Sequence, residues 1–587
     1  MVEFCSGVPL ANSTLMTIHR RPLSNCLTDT AFPLLLQRLY SARGIQSASA
    51  LDLTISRLLP FTQLKGIDNA VRRLYQALQQ QQRILIVADF DADGATSCAL
   101  AITALHSVGA QYVTYLVPNR FEYGYGLTPE IVDVAAQRQP QLIITVDNGI
   151  SSVDGVERAN QLGIDVIITD HHLAASVLPE AVAIVNPNQV GDEFPSKHLA
   201  GVGVIFYVML ALRSYLREHK WFETQGLAVP NMAELLDLVC LGTVADVVPL
   251  DQNNRILVEH GLRRIRAEKN RPGIQALLHI ANRQNCDLTA SDLGFALGPR
   301  LNAAGRLEDM SLGIECLLAK NFAQALTLAQ RLDELNRQRR DIEATMQQQA
   351  TDTLANLQLT QQLPIGLCLH DARWHQGVIG IVAARIKERT YRPTIVFASV
   401  DNNILKGSAR SVPGLHIRDV LDAIAKRHPE LIQKFGGHAM AAGLSIDSRH
   451  FTLFSEAFAT EVAYHLTSHD LQDCVISDGG LTKEELQLAT AELLRSAGPW
   501  GQQFPEPLFD DIFEIVDQYL VSGKHLKMSL RLSADSPLVD AIAFFVNVEE
   551  WPNYRAQKIH AVYRLAINNY RGQKKLQLMV ERLWVAA

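Results

Sequence analysis

Three short apolar runs constrain this chain most: "RILIVAD" ends at Asp89, "QLIITVD" at Asp147 and "DVIITD" at Asp170. Each is continuously apolar and rich in β-branched residues, as expected of a strand buried on both faces of a parallel sheet. Helix-forming stretches separate them, "TSCALAITALHSVGA" after the first and "SSVDGVERANQLG" after the second, the latter closing on a glycine. This β–α–β alternation predicts a doubly wound α/β sheet, whose ligands sit outside the carboxyl ends of the strands. All three aspartates fall at that edge. A fourth segment, "LLDLVCLGTVADVVPL", delivers Asp246 in a similar way, and its pattern does not separate helix from strand.

At 587 residues the chain exceeds a single core, and roughly three or four domains are expected. Residues 321–357 contain no Gly or Pro and many helix formers, predicting one long helix or two nearly collinear ones. A second α/β segment follows, with "PIGLCLH" and "PTIVFASV". Beyond residue 471, alternating runs such as "HLKMSLRL" predict a small antiparallel barrel. The expected organisation is a helical N-terminal extension (1–60), an α/β catalytic domain (61–318), a connecting helix (319–360), a smaller α/β domain (361–470) and the barrel (471–587). No apolar run approaches the ~20 residues of a membrane span, and the N-terminus lacks the pattern of a signal peptide, so a cytoplasmic protein is expected. Eight scattered cysteines without a CxxC pair read as reduced, buried thiols. The net charge of −7 argues against wholesale coating of nucleic acid but leaves room for a local basic groove.

A lone Asp after a strand is ordinarily a helix cap. One sheet edge that collects Asp89, Asp91, Asp93, Asp147 and the run Asp170-His171-His172 is a different matter, because so many partly buried acids raise one another's pKa values. Divalent cations remove the conflict. Aspartate oxygens with a histidine nitrogen suit Mn²⁺ or Mg²⁺, and the number of carboxylates suggests two ions. Such a pair activates water and stabilises both oxygens of an in-line phosphoryl displacement.

Phosphate-holding groups are also legible. In "GSARS", Ser408, Arg410 and Ser411 stand beside Gly407, where exposed backbone N–H groups and a guanidinium would grip a phosphate. In "FGGH", Gly436 and Gly437 allow close backbone approach and His438 can donate. Arg300 and Arg306 flank Asn302 in a glycine-containing loop. Lys524, Lys527, Arg564, Tyr570, Arg571, Lys574 and Lys575 are candidates for a basic, stacking groove on the barrel.

Together "DFDADGATS" (89–97), "VPNRFEYGYGL" (117–127), "TVDNGISS" (145–152), "TDHH" (169–172), "LGTVADVVPL" (241–250), "GFALGPRLNAAGRLEDM" (294–310), "WHQGVIGIVAAR" (374–385), "KGSARSVPGLHI" (406–417) and "FGGHAMAAG" (435–443) resemble the DHH phosphoesterase family, and within it the RecJ-type exonucleases. The resemblance implies a DHH domain, a long connecting helix, a DHHA1 domain and an OB-like barrel. It implies metal ligands at Asp89, Asp91, Asp93, Asp147, His171 and Asp246, with His172 acting at the phosphate, Asp170 orienting the histidines and Arg306 assisting. Arg120 and His375 join the substrate-binding group, Arg120 near the 5′ end. The implied activity is metal-dependent 5′→3′ hydrolysis of single-stranded DNA in recombination and mismatch repair. The implied partners are single-strand-binding protein and a RecQ-type helicase, with the chain a monomer. Two other readings stay open: a phosphatase or short-oligoribonucleotide nuclease, and a non-catalytic DNA-binding scaffold.

Overall fold

The structure, a computed structural model, describes residues 17–22, 27, 31–119, 123, 125–174, 177–360, 363–400, 403–467, 470–471, 474–570 and 572–586. The chain forms two compact units. One comprises residues 25–337 with 497–506, and the other comprises 1–24, 338–496 and 507–587.

The first unit is built on a five-stranded parallel sheet: β1 Ile84–Ala88, β2 Val113–Leu116, β3 Leu142–Val146, β4 Asp165–Thr169 and β5 Ala183–Val185. Their order is β2-β1-β3-β4-β5. The chain leaves β1 in one direction to form β2 and returns to form β3 on the other side. The topological switch therefore lies between β1 and β3. Every residue of β1 and β3 is buried, in keeping with a composition that is apolar but for Thr145. Helices α1 Ala92–Ser107, α2 Gly201–Glu218, α3 Leu236–Ala245 and α4 Gly298–Leu307 belong to the same unit.

Helix α5, Phe322–Thr360, is one continuous helix, and the boundary between the units falls within it. In the second unit a mixed sheet is formed by β6 Leu367–His370, β7 Thr394–Ser399, β8 Ile404–Arg410, β9 Lys434–Gly437 and β10 Ala441–Asp447. The order is β9-β10-β8-β7-β6, with only β6 and β7 parallel. One apolar layer gathers Ile395, Phe397, Leu405 and Phe454, and another gathers Leu367, Val396 and Val382 of helix α6, Ile379–Thr390. The closed barrel follows as β11 Phe509–Val521, β12 His525–Arg531, β13 Val539–Ala543, β14 Lys558–Tyr570 and β15 Gln573–Val585. Strict alternation in β12 buries Leu526, Met528 and Leu530 and leaves Lys527 on the opposite face.

Several expectations are corrected. Within the N-terminal extension, Thr17–Arg20 is a strand rather than helix, paired in parallel with Cys474–Ser477 and tied by Arg20 to Asp510 at 3.0 Å. The segment that delivers Asp246, whose pattern fits helix and strand alike, is a helix, α3. The region of Arg300, Asn302 and Arg306 is not a loop but helix α4. Pro299 begins that helix, and Gly305 is small because the carbonyl of Phe90 lies against it. Among the described cysteines, Cys98, Cys240 and Cys316 are buried but Cys286 and Cys474 are exposed; Cys5 and Cys26 lie outside the described residues. No helix among the described residues is long and apolar enough to cross a membrane.

Candidate metal centre and phosphate-holding residues

The carboxyl ends of β1, β3 and β4 place Asp89, Asp147 and Asp170 side by side. Ladder hydrogen bonds continue past the strand ends, with Asp89 N donating to Val146 O (3.3 Å), Asp147 N to Thr169 O (3.0 Å) and Asp170 N to Val185 O (3.2 Å). Asp147 turns out of the ladder with φ +63°, a left-handed conformation costly for a non-glycine residue and typical of functional sites. Asn148 locks this turn by donating to Val87 O (3.1 Å) and Val146 O (2.9 Å).

Asp91 caps α1, accepting from the backbone N–H groups of Asp93 and Gly94 at 3.0 Å each. Asp93, in the first turn of α1, receives Gly201 N (2.6 Å) and Val202 N (2.9 Å) from the start of α2. Asp246 closes α3. His171 Nε2 then lies 3.1 Å from Asp147 Oδ1, 3.5 Å from Asp246 Oδ2 and 3.9 Å from Asp93 Oδ2.

Among the described residues three sets of three ligand atoms lie mutually within 4.8 Å: Asp89, Asp91 and Asp147; Asp93, His171 and Asp246; and Asp147, His171 and His172, of which the first two share no residue. The short Asp147–His171 approach links them. Burial, reinforced by mutual repulsion, pushes Asp147 and Asp246 well above the usual carboxylate range and raises Asp93 to about 7, against the pull of its two backbone donors. Asp147 Oδ1 is buried, and His171 Nε2, 3.1 Å away, is not aligned to donate to it. Excess acid, a buried oxygen without an aligned donor among the described residues and an O/N donor set fit two hard divalent cations and do not fit a thiolate zinc site.

Asp170 is tied down on both oxygens. Oδ2 accepts Ile150 N (2.9 Å), while Oδ1 accepts the backbone N–H groups of His171 (2.7 Å) and His172 (3.1 Å) and meets His172 Nδ1 at 2.7 Å. Burial disfavours charge on both side chains, yet their pairing prevails: Asp170 is held below its ordinary value and His172 is raised to about 9. The pair is thus a fixed carboxylate–imidazolium couple beside the acidic centre.

Pattern reading overlooked several supports. The Tyr125 hydroxyl donates to Asp147 O at 3.1 Å and sits 3.2 Å from His172 Nδ1. Asn186 and Asn188 donate to the carbonyls of His172 (2.9 Å) and His171 (2.6 Å). Tyr125 stands inside a motif already singled out, and the asparagines form an "NPN" run that nothing local distinguishes from a turn. Asn302 accepts Ala92 N at 2.8 Å, so it holds the acidic loop. Arg300 is engaged by Asp333 (2.9 Å) and Ala296 O (2.6 Å), and Arg306 lies half-buried in the last turn of α4.

The second unit gathers the other set. Ser408 and Arg410 share one face of β8, with Arg410 Nη1 3.1 Å from Ser408 Oγ. Gly380, at the start of α6, leaves them room, since a Cβ there would stand 2.9 Å from Arg410 Nη2 and 3.0 Å from Ser408 Oγ. Two expectations change here. β8 is paired on both sides through Gly407–Arg410, so its backbone N–H groups are committed to the ladder. Ser411 is buried, its hydroxyl donating to Leu415 O at 2.7 Å. Gly436 and Gly437 end β9, and His438 is exposed in the following turn, its N–H donating to Ala441 O at 2.8 Å. His375 Nδ1 accepts Gly377 N at 3.1 Å. On the barrel, Lys524 lies 5.0 Å over the Phe545 ring, Lys574 and Lys575 are exposed, and Arg564 is paired with Glu581 at 2.7 Å. Arg120, Arg571 and the side chain of Tyr570 lie outside what is described.

Against known proteins, residues 83–243 match the N-terminal domain of the DHH family, 359–463 the DHHA1 domain and 477–582 the RecJ OB domain. The chain is 54% identical to the single-stranded-DNA-specific exonuclease RecJ of Dickeya dadantii, over 97% of this chain and 99% of the relative. It is 53% identical to that of Escherichia coli, over 94% and 96%. The crystal structure of RecJ from Thermus thermophilus in complex with Mn²⁺ superposes with a TM-score of 0.77 at 28% identity, covering 94% of this chain and 76% of that one, and the Mg²⁺ complex with 0.70 at 27%, covering 94% and 74%.

Proposed function

This chain belongs to the RecJ family of DHH-type, single-stranded-DNA-specific exonucleases, and from that premise we propose that it degrades single-stranded DNA from the 5′ end to mononucleotides by two-metal phosphodiester hydrolysis. The observation that carries the reading is the pair of disjoint ligand sets, Asp89/Asp91/Asp147 and Asp93/His171/Asp246, joined at the Asp147–His171 contact. Two Mn²⁺ or Mg²⁺ ions held there would supply an activated water and neutralise charge on the scissile phosphate. His172, kept protonated by Asp170, is positioned to give a proton to the departing 3′ oxygen. Asn302 and Tyr125 keep the acidic turns in place.

Ser408 and Arg410 provide a hydroxyl and a guanidinium for the terminal phosphate, in the space left by Gly380. Arg120, His375, His438 and Arg306 complete this reading from the family pattern. The barrel's exposed lysines would track the backbone of a long strand. The family pattern adds, as proposed partners, a single-strand-binding protein and a RecQ-type helicase that would expose and hand over a strand in recombination and mismatch repair, with the enzyme a cytoplasmic monomer. The test is to strip the metal, restore Mn²⁺, and compare a long single strand, a blunt duplex and a dinucleotide. Rapid release of mononucleotides from the single strand alone is expected. Preference for the dinucleotide would sink the reading in favour of a small-substrate phosphoesterase.

A further inference from the structure

Ala497–Glu506, "AGPWGQQFPE", belongs to the unit that carries the acidic centre, whereas helix Leu488–Ser496 before it and β11 after it belong to the other. Within the first unit the segment is anchored by a compact aromatic and cationic cluster. Trp500 and Phe504 stack at 5.1 Å, and Tyr40 stacks on them at 6.1 and 6.2 Å. Arg255 lies 4.3 Å over the Phe504 ring and Arg43 5.2 Å over Trp500. The Tyr40 hydroxyl donates to Ala497 O (2.9 Å) and Arg43 Nε to Pro505 O (2.8 Å).

This anchoring fixes a loop. Leu250 N donates to Gln502 O at 2.8 Å, and Gly501 sits so close that a Cβ would stand 2.7 Å from Leu250 Cδ1. Leu250 lies in the short connection that begins at Asp246, the end of α3, and finishes at Asp251, the cap of helix Gln252–Arg266. Val247, next to Asp246, has φ +62°, a conformation that a β-branched residue keeps only when its surroundings enforce it. Within the unit Asn254 holds the Pro249 carbonyl at 2.9 Å and Ser196 holds Asp251 at 2.6 Å, and the Leu250–Gln502 bond adds a restraint from the 497–506 segment.

We propose that Ala497–Glu506 is a positioning clasp for Asp246, holding its loop so that the carboxylate stays with Asp93 and His171. The inference rests on Asp246 being a metal ligand, as read above. Outer contacts that orient a ligand typically change metal affinity by about 10–100-fold when removed.

The test uses the metal-stripped full-length protein and follows Mn²⁺ binding by calorimetry and electron paramagnetic resonance, with far-ultraviolet circular dichroism as a check on folding. Gly501→Val, which drives a side chain into Leu250, and Trp500→Ala, which unstacks the cluster, should each weaken one Mn²⁺ by at least about tenfold and leave the other unchanged. Trp500→Phe should restore binding. In an Asp246→Asn background Gly501→Val should cost nothing further, because the residue through which the clasp acts is gone. Unchanged affinity in Gly501→Val and Trp500→Ala, or an equal loss in the Asp246→Asn background, would overturn the clasp. Asp246→Asn that alone binds both ions at full strength would instead overturn the ligand reading. Should Gly501→Val not fold, the Trp500 variants decide by the same readings.

Discussion

At the scale of single residues, the centre is defined by carboxylates that resist ionisation. Asp93 holds its proton up to about 7, with Asp147 and Asp246 pushed the same way by burial and by one another. An acid whose pKa is raised on folding favours the fold while protonated: the contribution is complete below about pH 4, the unfolded value, and is lost as pH rises toward the folded value. The metal-free protein should therefore lose thermal stability between about pH 4 and 7 relative to the Mn²⁺-loaded protein, so the gap between their Tm values widens with pH. Scans with chelator and with Mn²⁺ check this, and a gap that narrows as pH rises would contradict it. His172 plays a separate part. His172→Ala should lower kcat by roughly 10²–10⁴ with Mn²⁺ affinity retained, as expected for a lost proton donor rather than a lost ligand. A fall in metal affinity of the same size would place His172 among the ligands.

Among the elements, β8 separates two serines and an arginine that look alike in sequence. Ser408 and Arg410 share the face toward Gly380, while Ser411, just past the strand, is buried with its hydroxyl committed to Leu415 O. Arg410→Ala and Gly380→Val should thus raise KM for 5′-phosphorylated strands at least tenfold, whereas Ser411→Ala should cost about 1 kcal/mol of stability and leave KM nearly unchanged. Steady-state kinetics beside thermal unfolding checks both, and the reverse pattern would return Ser411 to the phosphate pocket. The same element shows where pattern reading stops. A two-residue period places side chains on faces but does not say that "GSARS" is an inner strand with its N–H groups consumed. β1, β3 and β4 were legible because burial on both faces leaves them mostly apolar and rich in β-branched residues. Helix α4 was not, because Gly298 and Gly305 signal a loop locally while Gly305 in fact serves close packing against Phe90. The strand Thr17–Arg20 depends on a partner at Cys474–Ser477, a pairing that no local signal announces.

For the whole molecule, a net charge of −7 coexists with a polyanionic substrate, so binding must rest on local charge. Lys574 and Lys575, exposed near the β14–β15 turn, make that testable. Replacing both with Glu should weaken binding of long strands and flatten its salt dependence by about 0.7 per lost phosphate contact, with dinucleotide turnover unaffected. An unchanged salt slope would move the groove elsewhere on the barrel. The succession of two α/β segments and a barrel was legible, in their apolar runs and in the alternation beyond residue 471. The return of Ala497–Glu506 to the first unit was not, since its Trp, Phe, Gly and Pro fit an ordinary linker equally well. Hydrolysis from the 5′ end at the two-ion centre is read out by a long single-stranded DNA with a 5′ label, incubated with Mn²⁺ beside an Asp147→Ala control. Immediate release of labelled mononucleotide, absent from the control, is the predicted result; a ladder that shortens while keeping its label, or cleavage that survives Asp147→Ala, would contradict it.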